Sequence, residues 1–489
     1  MFYIIDHNIT EYLLKFLYLS EIAKLAQLNK PIYGIVRNSK IYNQMIQLND
    51  VTDNKIMEEC YTKGLLEILK HYYKFGKNIN IKRAVDLTVI NGHVDILDWY
   101  KTCGFVFEYT NYAMDWASGN GNLGILDWFK SNNMEFKYSV NAIDLASQKG
   151  HVVVLEWFKK SGLPFMYTEY AIDWASLKKQ ISVLDWFKDS GLEFKYSNNA
   201  INWAAANGHI VVLDWFKNNG YKFEYSGSVI NGAAANGHIA VLDWFKNNGY
   251  EFGHTRLTIN NAAENGHTTV LDWFIKNNLK IHNDIGEAIV LAAENGHVQV
   301  LDWFKYNGFK IRNTQNAISR ASKNGHVVVL DWFANSGLEF YYNSDAVDSA
   351  CCESQIAVLD WFKKSKLKFK YSEMAMYWAL ENGHVAVLDW FEKNKYNIIY
   401  TSSAIDIACR NGHVTVLDWF KNNNYVLKYS SDAINNASYN GHVVILEWFK
   451  SNGYKIKYTK YAFDSANSNG HTTVLNWFKN NGYVYVNKN

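Results

Sequence analysis

The segment ENGHVQVLDWFKYNG, residues 294 to 308, brings His297, Asp302 and Trp303 within one turn or two of each other beside Gly296. A histidine and a carboxylate at such spacing are ingredients of general acid–base catalysis and, in larger numbers, of a metal site. The segment recurs, however, along the whole chain. Its tryptophans are Trp99, Trp128, Trp157, Trp186, Trp215, Trp244, Trp273, Trp303, Trp332, Trp361, Trp390, Trp419, Trp448 and Trp477. Successive copies lie 29 residues apart, except for the 30 from Trp273 to Trp303. A fixed period of this size is the signature of a repeat architecture rather than of one catalytic centre.

Histidine fills the turn position as His93, His151, His209, His238, His267, His297, His326, His384, His413, His442 and His471, with Asn122, Gln180 and Gln355 where it is missing. Neighbouring copies should lie roughly 8–10 Å apart, the spacing of packed helices, whereas the ligands of one zinc ion all lie about 2 Å from it. The ladder therefore cannot share a metal, and its amide replacements point to a side chain that satisfies turn backbone. The acid before each tryptophan is Asp in most repeats, Glu156 and Glu447 in two, and Asn476 in the last. A lysine often follows three residues on, as in Asp214 with Lys217 and Asp243 with Lys246, the spacing of an exposed helical ion pair. That reading predicts a solvated face. The tryptophans could stack bases, but the acid beside each one predicts buried packing between repeats instead. No Gly-rich phosphate loop, HExxH, nucleophile elbow or unique Ser/His/Asp set stands outside the period. The expectation is a protein that is not an enzyme and has no catalytic residues, metal or cofactor.

Residues 430 to 458, SSDAINNASYNGHVVILEWFKSNGYKIKY, show what positions these side chains. Ser430 is a natural N-cap, and Ala433, Ile434 and Ala437 fall on one face of a short helix. Asn440-Gly441 closes it, because glycine enters the left-handed conformation readily. His442 opens a second segment in which Val443, Ile445, Leu446, Trp448 and Phe449 form a broad apolar face, and Asn452-Gly453 ends it. The connector alternates rings with mostly polar residues, as in Phe107-Glu108-Tyr109 and Phe369-Lys370-Tyr371, which puts both rings on one side of an extended segment. Each repeat reads as two antiparallel helices plus a connector. So small a unit cannot bury its own apolar face, and neighbours must stack around a shared core.

With 48% hydrophobic residues, 18 Trp, 33 Tyr and 27 Phe, the chain is not a disordered one. Its 49 basic and 47 acidic residues leave a formal charge of +2, no field to attract a polyanion, so nucleic acid is not an expected partner. Cys60, Cys103, Cys351, Cys352 and Cys409 are irregularly placed and match neither a disulfide framework nor a zinc site. No stretch has the length or the apolar run of a membrane span, and the start MFYIIDHNIT lacks a signal-peptide pattern. A soluble, intracellular, cytoplasmic protein is expected.

The recurring AxxNGHvxVLxWFxxxG resembles the ankyrin repeat, in which a helix ending in Ala-Ala leads through a Gly-His turn into a helix of the form hxVVxLLLxxG. Gly237-His238 to Gly249 has that spacing, and the resemblance covers about residues 51 to 489. It implies an all-α, ankyrin-like α-solenoid of about fifteen helix-pair repeats, acting as a protein–protein interaction scaffold with its partner on the concave face. Ankyrin repeats run about 33 residues, and the missing ones fall where that family carries a β-hairpin finger, so the fingers are expected to be shortened to the connector. The Thr-Pro-Leu-His opening is also absent, with Asp115, Asp144, Asp173, Asn202 and Asn231 at the histidine position, and tryptophan replaces a leucine of the second helix. The whole resembles the divergent 29-residue ankyrin-like arrays of large DNA viruses of amoebae. That implies host cytoplasm and a host protein as partner, with the array itself expected to be a monomer.

In ankyrin repeats the residue six before the turn histidine commonly faces the concave groove. Here that address varies through Trp116, Leu145, Trp174, Trp203, Gly232, Asn261, Leu291, Arg320, Ser349, Trp378, Ile407, Asn436 and Ser465. Trp116, Leu145, Trp174 and Trp203 are consecutive, an apolar stripe roughly 30 Å long, and are the candidate partner-binding residues. Packing beneath the neighbouring first helix is the alternative.

Residues 1–50 fall outside the period. Within them LAQLNKPIYGIVRNSKIYNQM resembles the second half of an F-box, which implies docking on the adaptor of a cullin ubiquitin ligase, although Asn8-Ile9-Thr10 replaces the usual Leu-Pro opening. The other reading of this segment is a helical cap on the array. Residues 51–80 read as a degenerate first repeat with His71 in the tryptophan position, and 81–489 as the array. Beside the scaffold stand two other functions: substrate receptor of a cullin ligase, and self-associating structural or virion component.

Overall fold

The structure, a computed structural model, describes residues 53–74, 83–222, 227–250, 252, 255–279, 281 and 285–483. The segment 1–50, with its F-box-like stretch, lies outside the described residues. Among those described are thirty helices and no strand, or fifteen repeats at two helices each. None of these helices is long and apolar enough to cross a membrane. The chain divides into two compact units, Met1–Val229 and Ile230–Asn489.

Several repeats start where a Ser or Thr hydroxyl serves the first helix. The Oγ of Ser197 accepts from the Asn199 N–H at 3.1 Å, that of Ser372 from Met374 at 3.1 Å, and Oγ1 of Thr459 from Tyr461 at 3.3 Å. These bonds satisfy amides that a helix start otherwise leaves orphaned. The first helix ends in a paired closure: the N–H of Gly208 donates to Ala205 O at 3.1 Å and that of His209 to Ala204 O at 2.8 Å. The second helix begins at once, as in Ile210–Asn218.

Within each unit the first helices pack directly on one another, Asn111–Gly119 against Asn141–Lys149 and Ser402–Arg410 against Asp432–Tyr439. Pairs such as Ala113 with Ala117 and Ala142 with Ala146 are fully buried there, and their small side chains let the backbones approach. The second helices stand farther apart and fill the gap with Leu126, Phe129, Leu155 and Phe158, all fully buried. Each repeat is thus narrower along its first-helix row.

The tryptophans complete this second-helix layer; nine of the fourteen are buried and five half-buried. Several take a ring from the preceding connector. Phe136 stacks on Trp157 with centroids 5.5 Å apart, Phe165 on Trp186 at 5.6 Å and Phe194 on Trp215 at 5.5 Å. In the last case Tyr221 closes a three-ring cluster, 4.3 Å from Phe194 and 5.4 Å from Trp215. Offset and tilted stacks of this kind add to the area that the rings bury. Trp303→Ala is expected to remove about 3–5 kcal/mol of local stability, as buried aromatic truncations do. Hydrogen exchange should show the loss concentrated in helices Thr268–Lys276 and Val298–Tyr306; unchanged protection there would mean that the ring adds nothing to the stack.

Candidate functional site

The residues with chemical potential are brought together, but between repeats rather than within one. Histidines of the ladder reach back to the end of the preceding first helix: Nε2 of His93 lies 2.9 Å from Thr62 O, that of His209 3.1 Å from Leu177 O and that of His413 2.9 Å from Glu381 O. Since a carbonyl only accepts, Nε2 carries the proton. Where the histidine is replaced, the amide makes the same bond, Asn122 to Ile90 O at 2.9 Å and Gln180 to Gln148 O at 3.3 Å. Burial lowers the pKa of His151, His297 and His442, which favours the neutral ring at these three positions. Gly121 serves this ladder twice, because its φ of +74° suits glycine and because a Cβ there would meet Nδ1 of His151 at 2.8 Å.

In the repeats named here the acid before the tryptophan faces the next repeat rather than a lysine three residues on. It accepts the indole N–H of the next repeat, at 2.6 Å from Trp128 to Asp98, 2.7 Å from Trp215 to Asp185, 2.6 Å from Trp419 to Asp389 and 2.6 Å from Trp477 to Glu447. A half-buried indole needs an acceptor, and an ionised carboxylate is the strongest one at hand. The indole bond is the foremost cause holding the Glu447 carboxyl below its ordinary range. Lysines from the same helix also reach across, Lys130 to Ser161 O at 3.0 Å and Lys159 to Ser190 O at 2.7 Å. What separation along the helix offered as a local pair is in fact a bridge between neighbours.

A third row lies inside the first helices. Asp86, Asp115, Asp144, Asp173, Asp348 and Asp406 are buried, and each is doubly bonded by the cap of the next repeat. Thr168 donates its N–H to Oδ1 of Asp144 at 3.1 Å and its hydroxyl to Oδ2 at 2.6 Å, and Ser372 does the same to Asp348 at 2.9 and 2.6 Å. The cap hydroxyl so donates to one repeat while its oxygen accepts from its own helix. Burial pushes the Asp144 carboxyl up to about 6, with the bonds from Thr168 pulling the other way.

Every member of the His/Asp/Trp pattern named here is thus engaged in holding repeats together. Among the described residues no three His, Cys, Asp or Glu side chains gather as a metal ion would require. The candidate partner row behaves differently. Trp116, Leu145, Trp174 and Trp203 are each half-buried, neither core nor fully open, and stand beside the exposed rings of Tyr112 and Tyr170. Tyr170 stacks on Trp174 with centroids 5.1 Å apart, and Tyr112 lies 5.9 Å from Trp116.

Taken together, fold and ladders define a helical repeat protein built from stacked helix pairs. Neither a comparison with protein-family models nor one with curated proteins finds a match.

Two substitutions test the ladders. Gly121→Ala should be more damaging than Gly104→Ala, since both have φ near +70° but only Gly121 has a neighbour within 4 Å of the added Cβ. Strain alone is worth roughly 1–2 kcal/mol, and the excess in a denaturant melt measures the contact with His151. For Asp144, a raised carboxyl favours the fold when protonated, so its contribution is complete below the ordinary 3.8 and lost as pH rises through about 6. Asp144→Asn should therefore be tolerated best at pH 7 and become relatively more disruptive toward pH 4 (roughly the unfolded value). The readout is the difference between the melts of the two proteins across this range; a difference that shrinks on acidification would contradict the assignment.

Proposed function

We propose that this protein is a non-enzymatic protein–protein interaction scaffold, an ankyrin-like array with fingers shortened to the connectors, binding a protein partner on its first-helix face. The observation that carries this reading is the contrast between addresses. His, Asp and Trp residues with chemical potential are bonded from repeat to repeat, whereas the row containing Trp116, Leu145, Trp174 and Trp203 stays half-open and changes type from repeat to repeat. Half-exposed tryptophans in line are what recognition surfaces concentrate, because a large ring yields much contact area for little lost freedom. The resemblance to arrays of large DNA viruses adds a host cytoplasmic protein as the partner. The ubiquitin-ligase reading rests on residues 1–50 alone.

The test is affinity capture from cell lysate on the immobilised full chain and on its Trp174→Ala variant, followed by mass spectrometry. A protein retained by the parent is expected to fall about tenfold or more on the variant, the loss of one binding hot spot, while circular dichroism shows both chains folded. Equal retention by the two would remove the first-helix face as the binding site.

A further inference from the structure

The exposed charges of the first-helix rows have opposite balance in the two units. Between Arg83 and Asn207, the first helices and their closing turns expose Arg83, Lys149, Lys178 and Lys179 against Glu169 alone. The aspartates of the same helices, Asp86, Asp115, Asp144 and Asp173, are buried beneath and bonded to caps. In the unit Ile230–Asn489 the corresponding rows expose the acids Glu264, Glu287, Asp345, Glu353, Glu373, Asp432 and Asp464 against the cations Arg256, Arg320, Lys323, Arg410 and Lys460, and three of these cations are met by acids, Arg320 by both oxygens of Glu294 at 2.9 Å, Lys323 by Glu353 at 3.8 Å and Lys460 by Asp464 at 3.9 Å.

In the first unit the cations lie among the aromatic residues. Nζ of Lys149 sits 5.0 Å from the ring centroid of Trp116 and donates to Oδ1 of Asn120 at 2.7 Å, so an exposed ammonium is held in place beside an indole. Leu145 lies against the neighbouring helix at Gly119, where a Cβ would come within 2.7 Å of its own. One repeat further, the stacked Tyr170 and Trp174 precede Lys178 and Lys179 by one turn of the chain.

Resting on the scaffold reading above, we infer that the first-helix face of the Met1–Val229 unit takes an acidic, extended polypeptide segment. Its carboxylates meet Lys149, Lys178 and Lys179, and its apolar side chains meet Trp116, Leu145 and Trp174. Repeats advance by roughly 9 Å and an extended chain by about 3.3 Å per residue, so carboxylates about three residues apart face successive repeats. A segment of about a dozen residues spans the row on the same arithmetic. A nucleic acid fits less well, because the row offers it only Lys149, Lys178 and Lys179 in a chain of formal charge +2, too little to hold a polyphosphate.

The experiment is fluorescence anisotropy with the full chain. The probe is a labelled peptide of about a dozen residues with Glu at every third position and Leu between, compared with its Glu-to-Lys counterpart and a single-stranded oligonucleotide. The acidic peptide should bind, weaken with salt, and lose about tenfold in affinity to Lys178→Glu and again to Trp174→Ala, while the basic peptide does not bind. Lys178 is exposed, so Lys178→Glu leaves the fold intact by circular dichroism. Equal binding of the basic peptide or the oligonucleotide, or indifference of the affinity to Lys178→Glu, overturns the inference. A lysate partner retained through Trp174 without any binding of the acidic peptide overturns it too, and leaves the scaffold reading standing.

Discussion

A buried polar group must be bonded, and a repeat of 29 residues cannot bond all of its own. Carbonyls ending first helices, indoles of second helices, buried aspartates of first helices and tyrosine hydroxyls of connectors take their partners from the neighbouring repeat. All four are completed by a neighbour, at separations of 32, 30, 24 and 26 residues, as in His209 with Leu177, Trp215 with Asp185, Ser197 with Asp173 and Tyr196 with Lys222. Apolar stacking alone would tolerate sliding of one repeat against the next. These bonds fix the register, and they make each repeat's stability a property of its interfaces rather than of its own helices.

The one longer step shows how firmly that register is held. Trp303 stands 30 residues after Trp273, yet its indole still donates to the acid of the preceding second helix, Asp272, at 2.7 Å. The extra residue falls between helices Thr268–Lys276 and Gly286–Glu294. The one change of repeat length therefore sits in a connector, where loops absorb it.

The helix pairs, their caps and their turns were legible in the amino-acid sequence because they rest on local signals: Ser or Thr before an apolar face, Asn-Gly after it, rings alternating along the connector. The partners of the polar residues were not. Asp243 and Lys246 are three apart on one helix and so suggest each other, but Oδ1 of Asp243 takes the Trp273 indole at 2.7 Å and the Lys246 ammonium goes to Oδ1 of Asn277. An exposed ion pair is worth only a few tenths of a kcal/mol, less than leaving a buried indole unbonded, so the distant partner wins. A signal for the first-helix row was present: an acid recurring between Ile143 and Ala146, on the apolar side of a helix, is too costly to bury unless something answers it. The answer is the cap of the next repeat, and Asn435 with Thr459 at 3.0 Å gives it in neutral form.

The ladders also account for which positions in the chain can differ from repeat to repeat. The turn position admits His, Asn or Gln because each can donate to a carbonyl, and the position before tryptophan admits Asp or Glu wherever an indole follows. The address six before the turn histidine takes Gly232, Asn261, Arg320 or Trp174 with no such chemical theme, although all four are at least partly open to solvent in the same place on the first helix. A site that accepts a glycine and an indole alike contributes no obligatory side-chain bond to stacking, so the stack does not dictate what stands there. The stack therefore leaves this address open, and the concentration of aromatic residues in Trp116, Trp174 and Trp203, rather than any member of the repeating His/Asp pattern, is what the proposed recognition face rests on.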